Sequence, residues 1–310
     1  MRRVKLDTSA KSAHRLIFLA FAENQECRML LSFISPTTVS TMSISYELPS
    51  PDTFRTLTGV KDRVAIITGA GQGIGRVIAH GLAYHGAKVV IADISHEKAL
   101  SVAQAIQSKG MEALALGVDI GDWSSVDAMA QSVAQAFGRI DVLINNAGIF
   151  STLEMRPFWE IPLDEWAKVL QINVTGVMQS CKAVVPFMQQ QQWGRIVNIS
   201  SAAVLMGRPN YTHYTSSKSA LIGMTRSMAR ELGSDNITVN AIMPGATQTE
   251  VPRKTVTQQQ RNAIVAMQCV PRAQTPLDLV GSILFLASEG SSFITGQAIA
   301  IDGGLSHTGG

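Results

Sequence analysis

The chain has 310 residues, yet it has no long apolar run, few charges and only three cysteines, and each shortage removes a class of function. The most apolar early stretch, "LIFLAFA" at 16–22, is seven residues, against the ~20 that a membrane-spanning helix needs. The cysteines, Cys27, Cys181 and Cys269, are odd in number, far apart and without metal-ligand spacing. They read as reduced thiols of a cytoplasmic protein, with neither a disulfide framework nor a metal site. Charged residues are only 16% of the chain, against 46% hydrophobic. So little polar surface points to apolar surface buried between subunits. The net charge of +3 is uneven: 1–59 hold 7 Lys+Arg against 5 Asp+Glu, and 60–310 hold 19 against 18. A main region so near neutrality has no electrostatic footprint for nucleic acid.

Two common motifs are also missing. No G-x-S-x-G elbow of a serine hydrolase is present, and the dinucleotide spacing G-x-G-x-x-G fails because Ile74 and Arg76 stand where a third glycine is needed. Residues 1–59 form a separate N-terminal extension. Five basic residues precede the short apolar run, and Ala20-Phe21-Ala22 has the pattern of a signal-peptidase site. Three readings stay open for it: a disordered tail or an over-extended start with the true start at Met42, an organelle-targeting peptide, or a secretory signal.

From Val60 onward, short β-branched runs alternate with helical patterns. Strands are predicted at 64–68, 88–93, 112–119, 141–145, 195–200, 237–242 and 297–302. Seven mostly continuous apolar strands separated by helices predict a parallel sheet buried on both faces. The fold class is therefore α/β, a doubly wound seven-stranded Rossmann-type sheet, with 60–310 as one domain.

The first strand runs into "TGAGQGIG" (68–75), a glycine at every second position. A glycine-rich turn feeding a helix presents backbone N–H groups to an anion. Gly69, Gly73 and Gly75, spaced G-x-x-x-G-x-G, serve the turn, the approach of a diphosphate and helix packing. Gly71 is left without a required role, and the stretch taken alone is also consistent with a plain tight turn. Asp93 closes the second strand, 18 residues after Gly75. A carboxylate there accepts ribose hydroxyls and repels a 2′-phosphate; it is equally placed to cap the next helix. Uncharged Gln72, and Ile94-Ser95 after the aspartate, favour NAD over NADP.

Tyr214 and Lys218 stand four apart in a helical pattern continued by Leu221, Met224, Met228 and Leu232, which puts them on one face. An ammonium ~4 Å from a phenol, at an effective dielectric of ~20, favours the phenolate by about 4 kcal/mol. That is roughly three pKa units, enough to ready the phenol for general acid–base work near neutrality. The same spacing also describes an ordinary surface pair. Asn173 falls in the apolar stripe Trp166, Leu170, Val177, Cys181, Val184 and Met188. A buried amide there must have partners, whether it is structural or functional.

Taken together, "TGAGQGIG", "NNAG" (145–148), Asn173, "NISS" (198–201), "YTSSK" (214–218) and "PGATQT" (244–249) resemble, in order and spacing, the short-chain dehydrogenase/reductases of the compact single-domain branch. The resemblance covers about 60–310. It implies that Tyr214 is the acid/base, that Lys218 lowers its pKa and binds the nicotinamide ribose, and that Ser201 holds the substrate oxygen, with Ser200 as the neighbouring alternative. Asn173 would order a water joining Lys218 to solvent. The implied cofactor surface is Gly69, Gln72, Gly73, Ile74, Gly75, Asp93, Asp119, Asn146, Ala147, Gly148, Tyr214, Lys218, Pro244, Gly245, Thr247 and Thr249. Thr247 departs from the family, which more often has an apolar residue there. Tyr211 has Thr215 rather than lysine four residues on and is set aside, and His213 is only a neighbour of the site.

The expected reaction is NAD-dependent interconversion of a small, mostly apolar secondary alcohol and its ketone. "AAVLMGRPN" after Ser201 and a lid at about 248–270 containing "IVAMQCV" offer an apolar lining with few charges. A 3-oxoacyl-thioester reductase is the alternative, weakened by Gln192 and Asp235, where such family members tend to carry arginine. A non-catalytic nicotinamide-binding sensor is the alternative of another class, and the intact Asn173, Ser201, Tyr214 and Lys218 set speaks against it. The resemblance also implies a homo-oligomer, most often a tetramer.

Overall fold

A computed structural model describes residues 57–252 and 257–307. The expectations for the N-terminal extension therefore lie outside the described residues, apart from 57–59, as does part of the expected lid. All seven predicted strands form: β1 (Val64–Thr68), β2 (Lys88–Asp93), β3 (Ala113–Gly117), β4 (Val142–Asn145), β5 (Gly194–Ile199), β6 (Ile237–Pro244) and β7 (Ala298–Ile301). They pair in parallel in the order β3-β2-β1-β4-β5-β6-β7. The predicted 112–119 strand is shorter because β3 is an edge, where burial no longer sustains the ladder.

The strands read as continuous apolar runs because helices cover both faces. Along β1, Ala65 and Ile67 face one core, with Ile78 and Leu82 of α1 (Gly73–Tyr84), Ile106 of α2 (His96–Gln107) and Ile283 of α9 (Leu277–Leu286). Val64 and Ile66 face the other, with Val126 and Met129 of α3 (Trp123–Phe137), Val184 of α5 (Gly176–Gln190) and Leu221 of α7 (Thr212–Leu232). Each such Val, Leu, Ile or Met side chain, buried, contributes about 1.5–3 kcal/mol.

Local signals set the helix ends. Asp122 accepts from Ser124 N to cap α3, and Gly138, at φ +74°, terminates it. Ser95 caps α2 through Lys98 N. Helix α1 has no such cap: Gln72 stands at its N-cap without a side-chain hydrogen bond, which leaves its first amides for another acceptor.

The stripe through Asn173 does not form one regular helix. Helix α4 (Leu163–Leu170) passes through a π-helical turn, Gln171–Thr175, into α5. The wider turn shifts the helical phase, so Val169 is the buried residue of α4, and Trp166 and Leu170 are only half-buried. Asn173, fully buried, sits inside that turn. Helices α6 (Ala203–Met206) and α8 (Gln258–Met267) complete the α-helices among the described residues.

Strand order reverses between β1 and β4, which pair at Ile67↔Ile144. Above their carboxyl ends the chain leaves in opposite directions and opens a crevice, the position where doubly wound sheets bind ligands. The glycine turn and "NNAG" both emerge there.

Candidate active site

Backbone geometry explains the glycines. Gly69 and Gly73 hold φ of +63° and +60°, the left-handed region where glycine has no steric penalty. A Cβ on Gly69 would stand 2.7 Å from Ala147 Cα, and one on Gly75 would stand 2.5 Å from both Gly69 O and Asn146 Nδ2. Asn146 ties the turn to β4 by donating from Nδ2 to Thr68 O (3.0 Å) and Gly69 O (2.9 Å).

Gly71 does have a role, contrary to the sequence expectation. Its amide donates to Asp93 Oδ2 at 2.8 Å. A Cβ there would meet Lys98 Cβ at 2.8 Å and the Asp93 carboxyl at 2.9 Å. Asp93 also accepts from Ser95 N at 3.0 Å, so it braces both the turn and the start of α2. Gly71→Ala is expected to displace Asp93 and to cost about 1–3 kcal/mol by overpacking, seen as a lower Tm and weaker NADH binding. Wild-type values for both would contradict this contact.

The turn also fits an anion. Glu250 places Oε1 2.8 Å from Gly73 N, at the uncapped start of α1, and 3.1 Å from Arg76. A carboxylate of the chain itself thus occupies the amide that a diphosphate oxygen would take. Thr249 lies beside it, about 4 Å from a Cβ built on Gly73. Lys98 Nζ donates to Gln72 Oε1 at 2.8 Å. The Lys98 ammonium is thereby held at the turn, although Ile94-Ser95 supply no cation.

Within the other cofactor residues, Ile74 packs against the core, Pro244 ends β6, and exposed Asp119 accepts from Gly121 N at 2.8 Å. Gly245 is pressed against Asp302. Thr247 is buried, its hydroxyl facing Gln274 Oε1 at 3.2 Å and Gly245 O at 3.4 Å.

The catalytic candidates come from the π turn, the end of β5 and α7, and Asn173 and Lys218 meet at Gly148. A Cβ built on Gly148 would lie 3.1 Å from Asn173 Oδ1 and 3.5 Å from Lys218 Nζ. Asn173 is held at both ends of its amide: Oδ1 accepts from Ile149 N at 2.7 Å, and Nδ2 donates to Ile149 O and Ser217 Oγ, both at 3.1 Å. Ser217 Oγ donates in turn to Tyr214 O at 2.7 Å, so Asn173 anchors the helical turn that bears Tyr214. Ser200 is buried and donates to Lys218 O at 2.8 Å. Half-buried Ser201 accepts from Ala203 N at 3.2 Å, its one side-chain hydrogen bond among the described residues. The geometry thus separates the two serines: Ser200 fixes the lysine backbone, and Ser201 keeps a hydroxyl proton to donate.

Lys218 Nζ lies 5.9 Å from the Tyr214 ring centre and donates to Ile199 O at 2.8 Å. An ammonium and a phenolate ~6 Å apart at an effective dielectric of ~20 attract by about 3 kcal/mol. Burial brings the Lys218 ammonium down from 10.5 to about 8, so it is cationic at pH 7. The unfolded chain holds this proton more tightly, so between about pH 8 and 10.5 the residue's contribution to stability rises with pH. Keeping the charge buried at neutral pH costs about 3 kcal/mol. A side chain retained at that cost is explained by function more readily than by stability.

Ser217, Gly71, Lys98 and Glu250 were not legible as site residues. Only Ser217, a small polar residue on the apolar face of its helix, carried a sequence signal. Among the described residues no three His, Cys, Asp or Glu side chains cluster as metal ligands, and no helix is long and apolar enough to cross a membrane.

Comparison with known proteins agrees with this geometry. A family model described as enoyl-(acyl carrier protein) reductase matches residues 69–306. The chain is 37% identical to the 3-oxoacyl-[acyl-carrier-protein] reductase of Synechocystis sp. over 80% of its own length and 99% of the relative's. It is 36% identical to the 5-keto-D-gluconate 5-reductase of Escherichia coli over 77% and 94%. A solved 7α-hydroxysteroid dehydrogenase, complexed with NADH and 7-oxo glycochenodeoxycholic acid, superposes with a TM-score of 0.77 at 34% identity, covering 81% of this chain and 96% of that one. With the parallel sheet, the glycine turn and the Tyr–Lys helix in place, the chain belongs to the short-chain dehydrogenase/reductase family and is an NAD(P)(H)-dependent oxidoreductase.

Proposed function

We propose that residues 60–310 form a dehydrogenase domain that interconverts a small, mostly apolar secondary alcohol and its ketone, with NAD(H) preferred. The observation that carries this reading is the meeting of Asn173 and Lys218 at Gly148, with Tyr214 one helical turn from the buried lysine. Gly69, Gly73 and Gly75 would receive the cofactor diphosphate, Asp93 the adenosine ribose, Lys218 the nicotinamide ribose and Thr249 the carboxamide. A bound nicotinamide supplies the hydride acceptor or donor.

In the oxidation direction, Ser201 Oγ donates a hydrogen bond to the substrate oxygen and holds it against Tyr214. The Tyr214 phenolate takes the hydroxyl proton as the substrate carbon gives up its hydride, and the ketone leaves. In reduction, the Tyr214 hydroxyl gives its proton to the developing alkoxide. The Lys218 ammonium stabilises the phenolate in both directions. Asn173 Oδ1 retains a lone pair beside Lys218, a place for water that returns the proton to solvent. The Asp93 carboxylate favours NAD by repelling a 2′-phosphate.

Leu205, Met206, Met267 and Val270 are exposed, which supports an apolar substrate. A second reading, reduction of a 3-oxoacyl thioester, is favoured by the Synechocystis relative. Against it, Asp235 takes its hydrogen bond from Gln189, and no arginine stands at 192 or 235. A homotetramer is proposed from the apolar side chains left exposed, Phe293 above all, at 102%. A cytoplasmic location follows from the need for NAD(H).

Purified protein assayed with NAD and NADP against a panel of secondary alcohols, ketones and 3-oxoacyl thioesters tests the proposal. Turnover of simple secondary alcohols with NAD supports it, and activity confined to NADPH with thioesters overturns it in favour of the second reading.

A further inference from the structure

Tyr211 and His213 take no part in the chemistry just described, yet the structure packs both around Tyr214. We infer that Tyr211 is a positioning residue that fixes the plane of the Tyr214 ring, and that the buried His213 beside Glu165 holds Tyr211 in place. The inference rests on Tyr214 being the acid/base.

The Tyr211 ring stacks on that of Tyr214 at 4.6 Å between centres and 29° between planes. Tyr211 is itself 4% exposed, and its hydroxyl donates to Phe150 O at 2.9 Å. That bond spans from α7 to the segment that follows "NNAG". On another side His213 meets Tyr211 edge to face, at 5.6 Å and 87°. His213 is fully buried, and its Nε2 lies 3.4 Å from Glu165 Oε1 on α4. Neither ring nitrogen makes a hydrogen bond among the described residues. The other charged group at this pair is Arg156, 3.7 Å from Glu165 and itself 2.9 Å from Glu154.

The chain forgoes local stability to make this arrangement. Tyr211 occupies the N-cap of α7, where serine, threonine, aspartate or asparagine would cap the helix, and it makes no cap. The preceding Asn210 is held at φ +61°, a left-handed conformation uncommon outside glycine. Its carbonyl accepts from Arg156 N at 3.1 Å. A helix start that is uncapped, strained and pinned by tertiary contacts suits placement of a side chain better than it suits the helix. Tyr211, Leu153 and Val169 form a small core of their own, apart from the two sheet cores, and Tyr214 packs against it. Without the Tyr211 ring, Tyr214 loses its stacked neighbour and gains freedom to turn away from substrate.

The test compares Tyr211→Leu, Tyr211→Phe and His213→Leu with wild type, and combines Tyr211→Leu with Tyr214→Phe. A displaced catalytic group costs on the order of 10- to 100-fold. Tyr211→Leu is expected to lower kcat by about that factor, with NADH Kd and substrate KM within twofold of wild type. The ring retained in Tyr211→Phe should recover most of the loss. In the Tyr214→Phe background the same change should have no further effect, because Tyr211 acts only through Tyr214. Should Tyr211→Leu fold poorly by its melting curve, His213→Leu provides the same comparison, with a smaller loss confined to kcat. An additive double variant, or losses in KM and Kd with kcat intact, would overturn the inference. Should Tyr214→Phe alone keep full activity, the proposed chemistry itself falls. If Tyr214→Phe is inactive while Tyr211→Leu and His213→Leu turn over normally, only the inference falls.

Discussion

Tyr214→Phe is expected to lower kcat by about 10²–10⁴-fold, the range that a positioned general acid–base contributes, while NADH still binds. The reasoning is geometric. The phenol stands in the helical turn that Asn173 secures through Ser217, and Lys218 approaches its ring from the next turn. Phenylalanine keeps the ring, and hence the stacking with Tyr211, and removes only the oxygen that exchanges the proton. A loss in kcat with unchanged NADH affinity and Tm therefore isolates the proton step. Loss of NADH binding as well would mean that Tyr214 shapes the cofactor site instead, and unchanged kcat would remove it from the reaction.

Arg195→Met is expected to cost about 3–5 kcal/mol of stability, the penalty for removing one partner of a buried charged network. The Arg195 guanidinium is fully buried at the amino end of β5. It donates to Ser288 O at 3.2 Å, Gly194 O at 2.9 Å, Asn236 O at 3.1 Å and Glu289 Oε2 at 3.3 Å. It also lies 4.3 Å from the centre of the Trp193 ring, which Arg63 approaches at 3.6 Å. Methionine fills much of the volume but removes a donor from each of the three carbonyls. At 2–4 °C per kcal/mol for a domain of this size, Tm should fall by on the order of 10 °C. The network lies at the opposite end of the strands from the crevice, so kcat per folded molecule should be unchanged. A Tm within a degree or two of wild type would show that water replaces the guanidinium without cost.

The parts of this protein that can be read from its sequence are those with a local cause. The β-branched runs locate all seven strands because a doubly wound sheet buries both faces of each. The glycine turn, Asp93 and the Tyr214–Lys218 spacing are legible because turn geometry and helical period act over a few residues. Contacts made across the fold are not. Gly71 reads as dispensable until Asp93 and Lys98 are brought against it from β2 and α2. Glu250 reaches Gly73 over 177 residues of sequence. The π turn at Gln171–Thr175 is hidden because the apolar stripe on either side of it fits a plain helix. His213 and Tyr211 read as bystanders for the same reason: stacking, burial and a carboxylate from α4 give them their place, and none of these is adjacent in sequence.

The central claim is that a buried ammonium keeps the Tyr214 phenol ready to exchange a proton. The most direct test is the pH dependence of kcat for alcohol oxidation, in wild type and in Lys218→Met. Because lysine and phenol titrate as a coupled pair, the limb belongs to both. The account predicts a wild-type limb below the ordinary phenol value of ~10, moved upward by about two units when the cation is removed. A limb at the same pH in both proteins would contradict it.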